Sequence, residues 1–415
     1  MDRYVIKGGR PISGKLKAEG AKNSALPVIA AALLVRGKAI IENCPDISDV
    51  RNMCEIAKSL GAKVEYDNGV LVIDSETLSG YCVQRALCEK TRTSVLALGA
   101  LLAREKKVCV YFPGGCEIGS RPIDMHLAAF EKMGVTVSSC GGEITASASR
   151  LSGAEICLPY PSVGATENVM LAACLAEGKT RIFGAAKEPE IAELESALNA
   201  FGAKIGGAGT DVIEIEGVKK LSGGRIKLGF DRIETGTFLV MAAATGGEIE
   251  ISGAKAENIY SLLVKLCDNS CKIKIKNDII YLKSGRVRKS FSLTTGPYPL
   301  FPTDLQPQMT VLAAASAGSS VIKDEVFPER FSHAAELRKM GAEISVKNGT
   351  AIVRGKGRLF GSVVEAHDLR CGAALVTAGL FAEGKTVVKG VRFVERGYAN
   401  FTKKLLSLGA DIYQK

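Results

Sequence analysis

A loop with chemically useful side chains runs from Phe112 to Asp124 and reads FPGGCEIGSRPID. It places a thiol, Cys116, and a cation, Arg121, among three glycines. A thiol near an arginine and a helix start loses its proton more readily than an ordinary cysteine. Long loops of this kind often close over active sites. Two interpretations stay open, because most cysteines are inert small side chains and this one could instead be reactive.

Two other side chains have types suited to proton transfer. His126 follows Cys116 in the sequence and is either its base or a residue that structures the next helix. The spacing of this pair matches no thiol-protease signature. Asp304 lies between prolines in PLFPTDLQPQ and is either a general base for a hydroxyl group or a helix cap.

Basic residues stand just before apolar, alanine-rich segments at four places. They are Lys22, Arg92, Arg232 and Arg370. A helix N-terminus carries partial positive charge, so acids rather than bases are favoured there. A single such cation is an ordinary solvated residue, but four together with free backbone N–H groups indicate an anion-binding cleft.

The composition excludes several classes of function. The chain has 415 residues, 54 Lys+Arg against 44 Asp+Glu, a net charge of +10, 12 Cys and only 3 His. Aromatic residues make up 6% without any Trp, and no polybasic run occurs, so nucleic-acid binding is not expected. The cysteines include no CxxC pair, so no metal site is expected. No membrane span or signal peptide is apparent, which predicts a cytoplasmic protein.

A repeated phrase organises the chain. LGAKVEY at Leu60 returns in altered form, and a degenerate copy, LCDNSCKIKI, occurs at Leu266. The glycines of the five clear copies are Gly61, Gly134, Gly202, Gly341 and Gly409. The spacing gives six copies of roughly 70 residues, the regime of internal structural repeats.

Each copy predicts a βαβαββ unit, whose first helix is apolar all round and therefore buried. Single units are too small to hide such helices, so three units must pack together. We expect an α/β fold of two domains with a cleft between them, each domain having three βαβαββ repeats with the apolar helices packed inward. The predicted domains are 21–229, which carries the cysteine loop, and 1–20 plus 230–415. The strand Arg3–Lys7 is left over and is expected to pair with the C-terminal half.

Six phrases together resemble the enolpyruvyl transferase family. They are GAKNSALP at Gly20, FPGGCEIGSRPIDMHL at Phe112, YPSVGATENVM at Tyr160, FPTDLQPQ at Phe301, DLRCGAALV at Asp368 and ERGY at Glu395. They run the whole length in order. Within the family, they are most similar to the UDP-N-acetylglucosamine 1-carboxyvinyltransferases, which transfer enolpyruvyl from phosphoenolpyruvate to the sugar 3-hydroxyl and open peptidoglycan synthesis. The resemblance implies the family's fold of two inside-out α/β domains with the active-site cleft between them, which agrees with the repeat count.

The resemblance implies roles for particular residues. Lys22 and Asn23 hold phosphoenolpyruvate, and Arg121 and Arg396 face the same anion. Cys116 matches the family's proton donor, which also forms a covalent adduct. Asp304 matches the residue that takes the proton from the sugar hydroxyl and binds the substrate, and Arg370 is a further arginine of the cleft. The sugar nucleotide is held by Arg92, Arg121, Pro122, Ile123, Asp124, Met125, Ser162, Val163, Gly164 and Val326.

The resemblance also implies partners and sensitivities. The substrates are two small anions, no cofactor or metal is required, and the protein is a monomer or weak homo-oligomer. Cys116 predicts inhibition by fosfomycin, which alkylates this thiol. Two departures from the family pattern are Tyr160, where some members have lysine near the uridine, and Cys371, where a smaller residue is usual.

Two rival functions remain at this stage. An enolpyruvylshikimate phosphate synthase shares phosphoenolpyruvate but uses no loop cysteine, and the GAKNSALP and GGCEIGSRP phrases count against it. A repeat scaffold that binds RNA or another polyanion would be a different class of protein. Its expected basic stripe with aromatic residues is missing.

Overall fold

The computed structural model describes residues 2–114, 122–285 and 287–415. The chain forms two compact units. The N unit comprises the described residues of 20–229, and the C unit comprises residues 2–19 together with those of 230–415. The chain passes from one unit to the other between Glu19 and Gly20, one residue before the boundary expected from the sequence. Cys116 and Arg121 lie outside the described residues.

The strands of the described chain are short, mostly of five residues. They are β1 (Arg3–Lys7), β2 (Ser13–Lys17), β3 (Val35–Glu42), β4 (Lys63–Asp67), β5 (Val70–Asp74), β6 (Lys107–Tyr111), β7 (Thr136–Cys140), β8 (Glu143–Ser147), β9 (Glu155–Cys157), β10 (Lys179–Phe183), β11 (Lys204–Gly206), β12 (Val212–Glu216), β13 (Leu221–Lys227), β14 (Glu248–Ser252), β15 (Lys272–Lys276), β16 (Ile279–Lys283), β17 (Ser292–Thr294), β18 (Ala317–Lys323), β19 (Glu343–Lys347), β20 (Thr350–Lys356), β21 (Val363–Glu365), β22 (Lys385–Lys389) and β23 (Asp411–Gln414).

The α-helices alternate with these strands. They are α1 (Lys22–Ala32), α2 (Ser48–Ser59), α3 (Arg85–Cys88), α4 (Ala97–Glu105), α5 (Asp124–Lys132), α6 (Val163–Ala173), α7 (Pro189–Ala200), α8 (Arg232–Thr245), α9 (Tyr260–Asp268), α10 (Gln306–Ala314), α11 (Ser332–Lys339), α12 (Leu369–Phe381), α13 (Val391–Val394) and α14 (Phe401–Ser407). Three 3-10 turns, Arg92–Leu96, Ala256–Ile259 and Thr303–Leu305, lead into α4, α9 and α10.

Each unit contains three small sheets among its described residues. Those of the N unit have the strand orders β13-β3-β5-β4, β6-β8-β7 and β9-β10-β12-β11, and those of the C unit β2-β14-β16-β15, β17-β18-β20-β19 and β21-β22-β1-β23. In every four-stranded sheet the first pair is parallel and the others are antiparallel. This recurrence, with the helices, confirms the predicted α/β repeat architecture.

Three strands pair with strands that are distant in the sequence. β1 lies between β22 and β23 and is antiparallel to both, with Val5 opposite Val387 and Tyr413. The expectation that this strand pairs with the C-terminal half is therefore confirmed. Likewise β2 pairs in parallel with β14, and β13 at the end of the N unit returns to pair with β3. Each unit thus joins its first and last repeats through hydrogen bonds.

The first helix of each repeat is buried, as its all-round apolar sequence predicts. Every residue of α8 from Arg232 to Ala244 is buried, and α1, α4 and α6 are similarly enclosed in the N unit. The helices α8, α10 and α12 contact one another, as do α1, α4 and α6. Small residues permit this approach, since a Cβ atom on Gly99 of α4 would lie 2.3 Å from the Asn168 carbonyl oxygen of α6.

Three of these helices, α1, α8 and α12, begin earlier than the apolar pattern indicates. Lys22 and Arg232 are the first residues of their helices, and Arg370 is the second residue of α12. Apolar periodicity cannot detect a polar first turn, so the sequence pattern places these three cations just before the helices rather than inside them. The cations therefore lie within the helical first turns, whose backbone N–H groups have no partner inside the helix.

The repeated phrase marks where the second helix of each unit stops. Its glycines, in the order given above, have φ values of 101°, 87°, 100°, 89° and 84°. This left-handed conformation is open to glycine without the steric cost that other residues pay. Ser270 adopts it in the degenerate fourth copy, with φ of 77°.

None of the helices in the described ranges is both long enough and apolar enough to cross a bilayer.

Candidate active site

In the C unit, the carboxylate of Asp304 lies between two arginines. Its Oδ1 accepts a hydrogen bond from Arg330 Nη1 and its Oδ2 from Arg370 Nη2, both at 2.8 Å. The arginine side chains are only 5% and 3% exposed, whereas that of Asp304 is 27% exposed. The carboxylate is therefore the part of this triad that solvent or a ligand can reach.

The arginines determine the ionisation of Asp304. Burial alone would raise the pKa of its carboxyl group, but the charges and hydrogen bonds of Arg370 and Arg330 outweigh burial and hold the pKa well below its usual range. Asp304 is ionised at neutral pH, as a proton acceptor must be, but its basicity is low while both arginines are bound to it.

Arg370 is fixed from several sides. Asp368 caps α12 by accepting hydrogen bonds from the backbone N–H groups of Arg370 and Cys371 at 2.9 and 3.0 Å. The guanidinium donates from Nη1 to Tyr398 Oη at 3.1 Å and lies over the same ring. Tyr398 Oη is in turn 2.9 Å from Thr237 Oγ1 of α8. The site therefore connects three repeats of the C unit.

Arg330 comes from a loop that Asp324 organises. The buried Asp324 carboxylate accepts hydrogen bonds from the Thr295 and Thr303 hydroxyls at 2.8 and 2.7 Å, and from the Val326 and Phe327 N–H groups at 3.0 and 2.8 Å. Val326, expected to contact the sugar nucleotide, thus stands on a rigid turn. This network sets the path of the loop that leads to Arg330.

Arg330 and Tyr398 were not among the residues expected from the sequence. A signal was available for Arg330, because its loop, DEVFPERFSH, belongs to the repeat-equivalent loops that precede the second helices. Tyr398 falls in the ERGY phrase, two residues after the expected Arg396. Arg396 itself lies partly exposed in the turn that follows α13.

In the N unit, Lys22 opens α1 beside an enclosed acid. Its Nζ lies 2.8 Å from Asp49 Oδ2, with the two side chains 13% and 2% exposed. Asn23 follows in the first turn and is partly buried. A lysine fixed by a buried acid at a helix start, with N–H groups beside it, offers an anion a directed charge.

A second set of expected residues meets around the start of α6. Ser162 caps this helix, accepting from the Ala165 N–H at 3.3 Å, and Val163 and Gly164 form its first turn. His126 of α5 approaches Gly164 so closely that a Cβ atom there would lie 3.2 Å from His126 Cε1. This contact connects the segment Pro122–Met125, which leads into α5, to the start of α6.

His126 has a structural contact of its own. Its Nδ1 is 2.8 Å from the side-chain Nδ2 of Asn168, so Nδ1 is the acceptor and the proton of the neutral ring is on Nε2. Asn168 also donates to the Val95 carbonyl and accepts from the Gly99 N–H. The imidazole is buried and joins α5, α6 and α4, which agrees with a role in structuring the helix.

Three other positions singled out by the sequence lie among the described residues. Arg92 opens a 3-10 turn that contacts α1 and α6, with Thr91 as its cap. Tyr160 is 39% exposed, and Cys371 is buried in α12, where burial raises its pKa to about 12. The described ranges contain no group of three or more His, Cys, Asp or Glu arranged to hold a metal ion.

Comparison with known proteins identifies relatives of the whole chain. The family model described as EPSP synthase (3-phosphoshikimate 1-carboxyvinyltransferase) matches residues 6–405. A UDP-N-acetylglucosamine 1-carboxyvinyltransferase of Carboxydothermus hydrogenoformans is 46% identical over 412 residues, covering 99% of this chain and 98% of the relative. One from Listeria monocytogenes is 44% identical over 411 residues, covering 99% and 97%.

Solved structures share the fold. The crystal structure of the enolpyruvyl transferase NikO from Streptomyces tendae superposes with a TM-score of 0.89 at 24% identity, covering 99% of this chain and 98% of the other. An EPSP synthase from Acinetobacter baumannii gives a TM-score of 0.77 at 20% identity, with both chains fully covered. At these identities the likeness shows the fold alone.

Proposed function

This chain belongs to the UDP-N-acetylglucosamine 1-carboxyvinyltransferase family, and from that membership we propose that it transfers the enolpyruvyl group of phosphoenolpyruvate to the 3-hydroxyl of UDP-N-acetylglucosamine, releasing phosphate. The observation that carries the proposal is the identity of about 45% with transferases of that name over essentially the whole chain. The arginines and lysine at helix starts supply the positive charge that two anionic substrates require.

The reaction is an addition followed by an elimination. The methylene carbon of phosphoenolpyruvate gains a proton while the sugar 3-oxygen, losing its own proton, bonds to the neighbouring carbon. The resulting tetrahedral intermediate loses phosphate from that carbon and a proton from the new methyl group, which restores the double bond. The step requires an acid, a base and cations that stabilise the departing phosphate.

Asp304 is the proposed base for the sugar hydroxyl. Its low pKa in the arginine triad suits a resting state rather than proton abstraction. An incoming anion that takes over hydrogen bonds from Arg330 or Arg370 withdraws positive charge from the carboxylate and raises its pKa. The Asp304 carboxylate would therefore become a stronger base when phosphoenolpyruvate is bound. Arg370 and Arg396 would hold that anion.

Residues of the N unit are proposed for the other roles. Lys22 and Asn23 bind phosphoenolpyruvate, with the Lys22 ammonium on the phosphate and Asp49 fixing its position. Arg92, the segment Pro122–Met125 and the α6 start at Ser162–Gly164 bind the sugar nucleotide. Cys116 is the proposed proton donor, and Arg121 is proposed to contact both substrates; neither lies among the described residues.

Wider features follow from the same proposal. The enzyme would catalyse the first committed step of peptidoglycan synthesis and so serve cell-wall formation, cell shape and division in the cytoplasm. It would need no metal or cofactor, because arginine and lysine supply the electrophilic stabilisation. Fosfomycin would alkylate Cys116. The two units would be the functional domains, and we propose a monomer or weak homo-oligomer.

The test is phosphate release with two alternative acceptors. We expect turnover with phosphoenolpyruvate and UDP-N-acetylglucosamine, and none with phosphoenolpyruvate and shikimate 3-phosphate. The opposite pattern would assign the chain the activity after which the matching family model is named. Cys116→Ser serves as the matched variant, since a hydroxyl is a far weaker acid than a thiol. A wild-type rate in that variant would remove Cys116 from the proton-donor role.

A further inference from the structure

Two cysteines of the N unit lie side by side at the edge of a sheet. Cys82 forms a parallel β-bridge with Cys109 of β6, and their Sγ atoms are 2.7 Å apart. Both are free thiols. Neither belongs to the residues assigned to the reaction above.

The backbone fixes this juxtaposition independently of the side chains. The N–H of Val83 donates to the Cys109 carbonyl at 2.9 Å, and the N–H of Cys109 donates to the Tyr81 carbonyl at 2.8 Å. Cys82 therefore lies directly opposite Cys109, with both side chains on the same face. Neighbouring strands are about 4.8 Å apart, and a disulfide spans Cα separations of about 4.4–6.8 Å. A bond between the two sulfurs needs no rearrangement of the main chain.

The two thiols differ in access to solvent. Cys82 is exposed, whereas Cys109 is 7% exposed. Burial, reinforced by the contact with Cys82, raises the pKa of Cys109 to about 12. An oxidant in solution therefore reacts first with Cys82, and the protonated Cys109 thiol lies next to it.

We propose that Cys82 and Cys109 form a modification site, at which a peroxide oxidises the pair to a reversible disulfide. The Cys82 sulfur attacks one peroxide oxygen, the O–O bond breaks, and a sulfenic acid and one water form. The Cys109 sulfur then attacks Cys82 Sγ and expels the sulfenic oxygen as a second water. Two thiols lose two electrons and two protons, which reduce one peroxide to two waters.

The linkage would covalently close a loop between positions 27 residues apart. It would join the edge segment Tyr81–Val83 to β6, the strand that leads into Phe112. Because Cys82 is exposed, a dithiol can reach the bond and reduce it. The site is thus suited to reversible oxidation rather than to a permanent structural bridge.

Thiol mapping of the full chain tests the proposal without reference to activity. The reduced protein is treated with a series of hydrogen peroxide concentrations, denatured in N-ethylmaleimide, digested without reduction and analysed by mass spectrometry. We expect a peptide that joins Cys82 to Cys109, with the two cysteines losing alkylation in equal amounts. Dithiothreitol should restore both.

Two variants test whether the oxidation is specific to the Cys82–Cys109 pair. Cys82→Ser should leave Cys109 fully alkylated at peroxide doses that consume it in the wild-type protein. Cys140→Ser removes a different exposed thiol, at the end of β7, and should leave the Cys82–Cys109 peptide unchanged. The proposal is overturned if Cys82 passes to sulfinic acid while Cys109 stays alkylated. A cross-link from Cys109 to the buried Cys88 instead of Cys82 would equally overturn it.

Discussion

Replacing Asp304 by asparagine should destabilise the C unit. The change removes one negative charge and leaves Arg330 and Arg370, 5% and 3% exposed, without their carboxylate. Removing one partner of a buried pair costs about 3–5 kcal/mol. Asp304 is 27% exposed, so water partly solvates the freed groups, and we expect a loss near 3 kcal/mol. That corresponds to a fall in Tm of about 6–12 °C for a unit of this size.

The same variant should gain an anion site. Inorganic phosphate can replace the missing carboxylate between the two guanidinium groups, so it should raise the Tm of Asp304→Asn more than that of the wild-type protein. Urea unfolding and thermal melts, each with and without phosphate, measure both effects. Asp268→Asn is the matched control, since Asp268 pairs with Lys265 on the surface at 3.2 Å and such pairs contribute about 0.2–1 kcal/mol. If Asp304→Asn is as stable as wild type, or phosphate stabilises both equally, the triad does not act as described.

Other perturbations address separate parts of the structure. Lys22→Met should raise the KM for phosphoenolpyruvate at least about tenfold. The control Lys58→Met removes a surface pair with Glu55 and should leave that KM unchanged. Equal KM values for the two variants would exclude Lys22 from the phosphoenolpyruvate site. Burial raises the pKa of Glu234 to about 7 despite Lys404 nearby, so its stabilising contribution is full below pH 4.5 and is lost as pH rises to 7. Urea titrations should therefore find Glu234→Gln gaining roughly 2 kcal/mol relative to wild type between pH 5 and 7.5, and a constant difference would contradict this. Gly99→Ala should destabilise by about 1–3 kcal/mol because its Cβ would meet Asn168, while Gly206→Ala, with nothing within 4 Å, should stay within about 0.5 kcal/mol; equal denaturation midpoints would dismiss the clash.

Much of the fold was accessible from the sequence because its signals are local and repeated. The glycines of the repeated phrase, with φ between 84° and 101°, and the apolar first helices both depend on short stretches of chain. The partner of β1 was predicted only as far as the C-terminal half. Its place between β22 and β23 depends on contacts across almost the whole chain, which no local pattern encodes.

The candidate site divides in the same way. Residue type and helix position singled out Lys22, Asp304 and Arg370. Their partners, Asp49 and Arg330, could not be assigned, because pairing depends on which loops meet in three dimensions. The low pKa of Asp304 likewise arises from two arginines that are 26 and 66 residues away in sequence.

The most direct test of the proposed reaction is turnover in D2O, followed by mass spectrometry and NMR of the product. Addition of a deuteron to the methylene carbon, followed by loss of phosphate and a proton, should give a carboxyvinyl ether at the sugar 3-oxygen with deuterium on its vinyl carbon. Phosphate should appear in equal amount. Phosphate release with pyruvate and an unchanged sugar nucleotide, or a product without vinyl deuterium, would contradict enolpyruvyl transfer by addition and elimination.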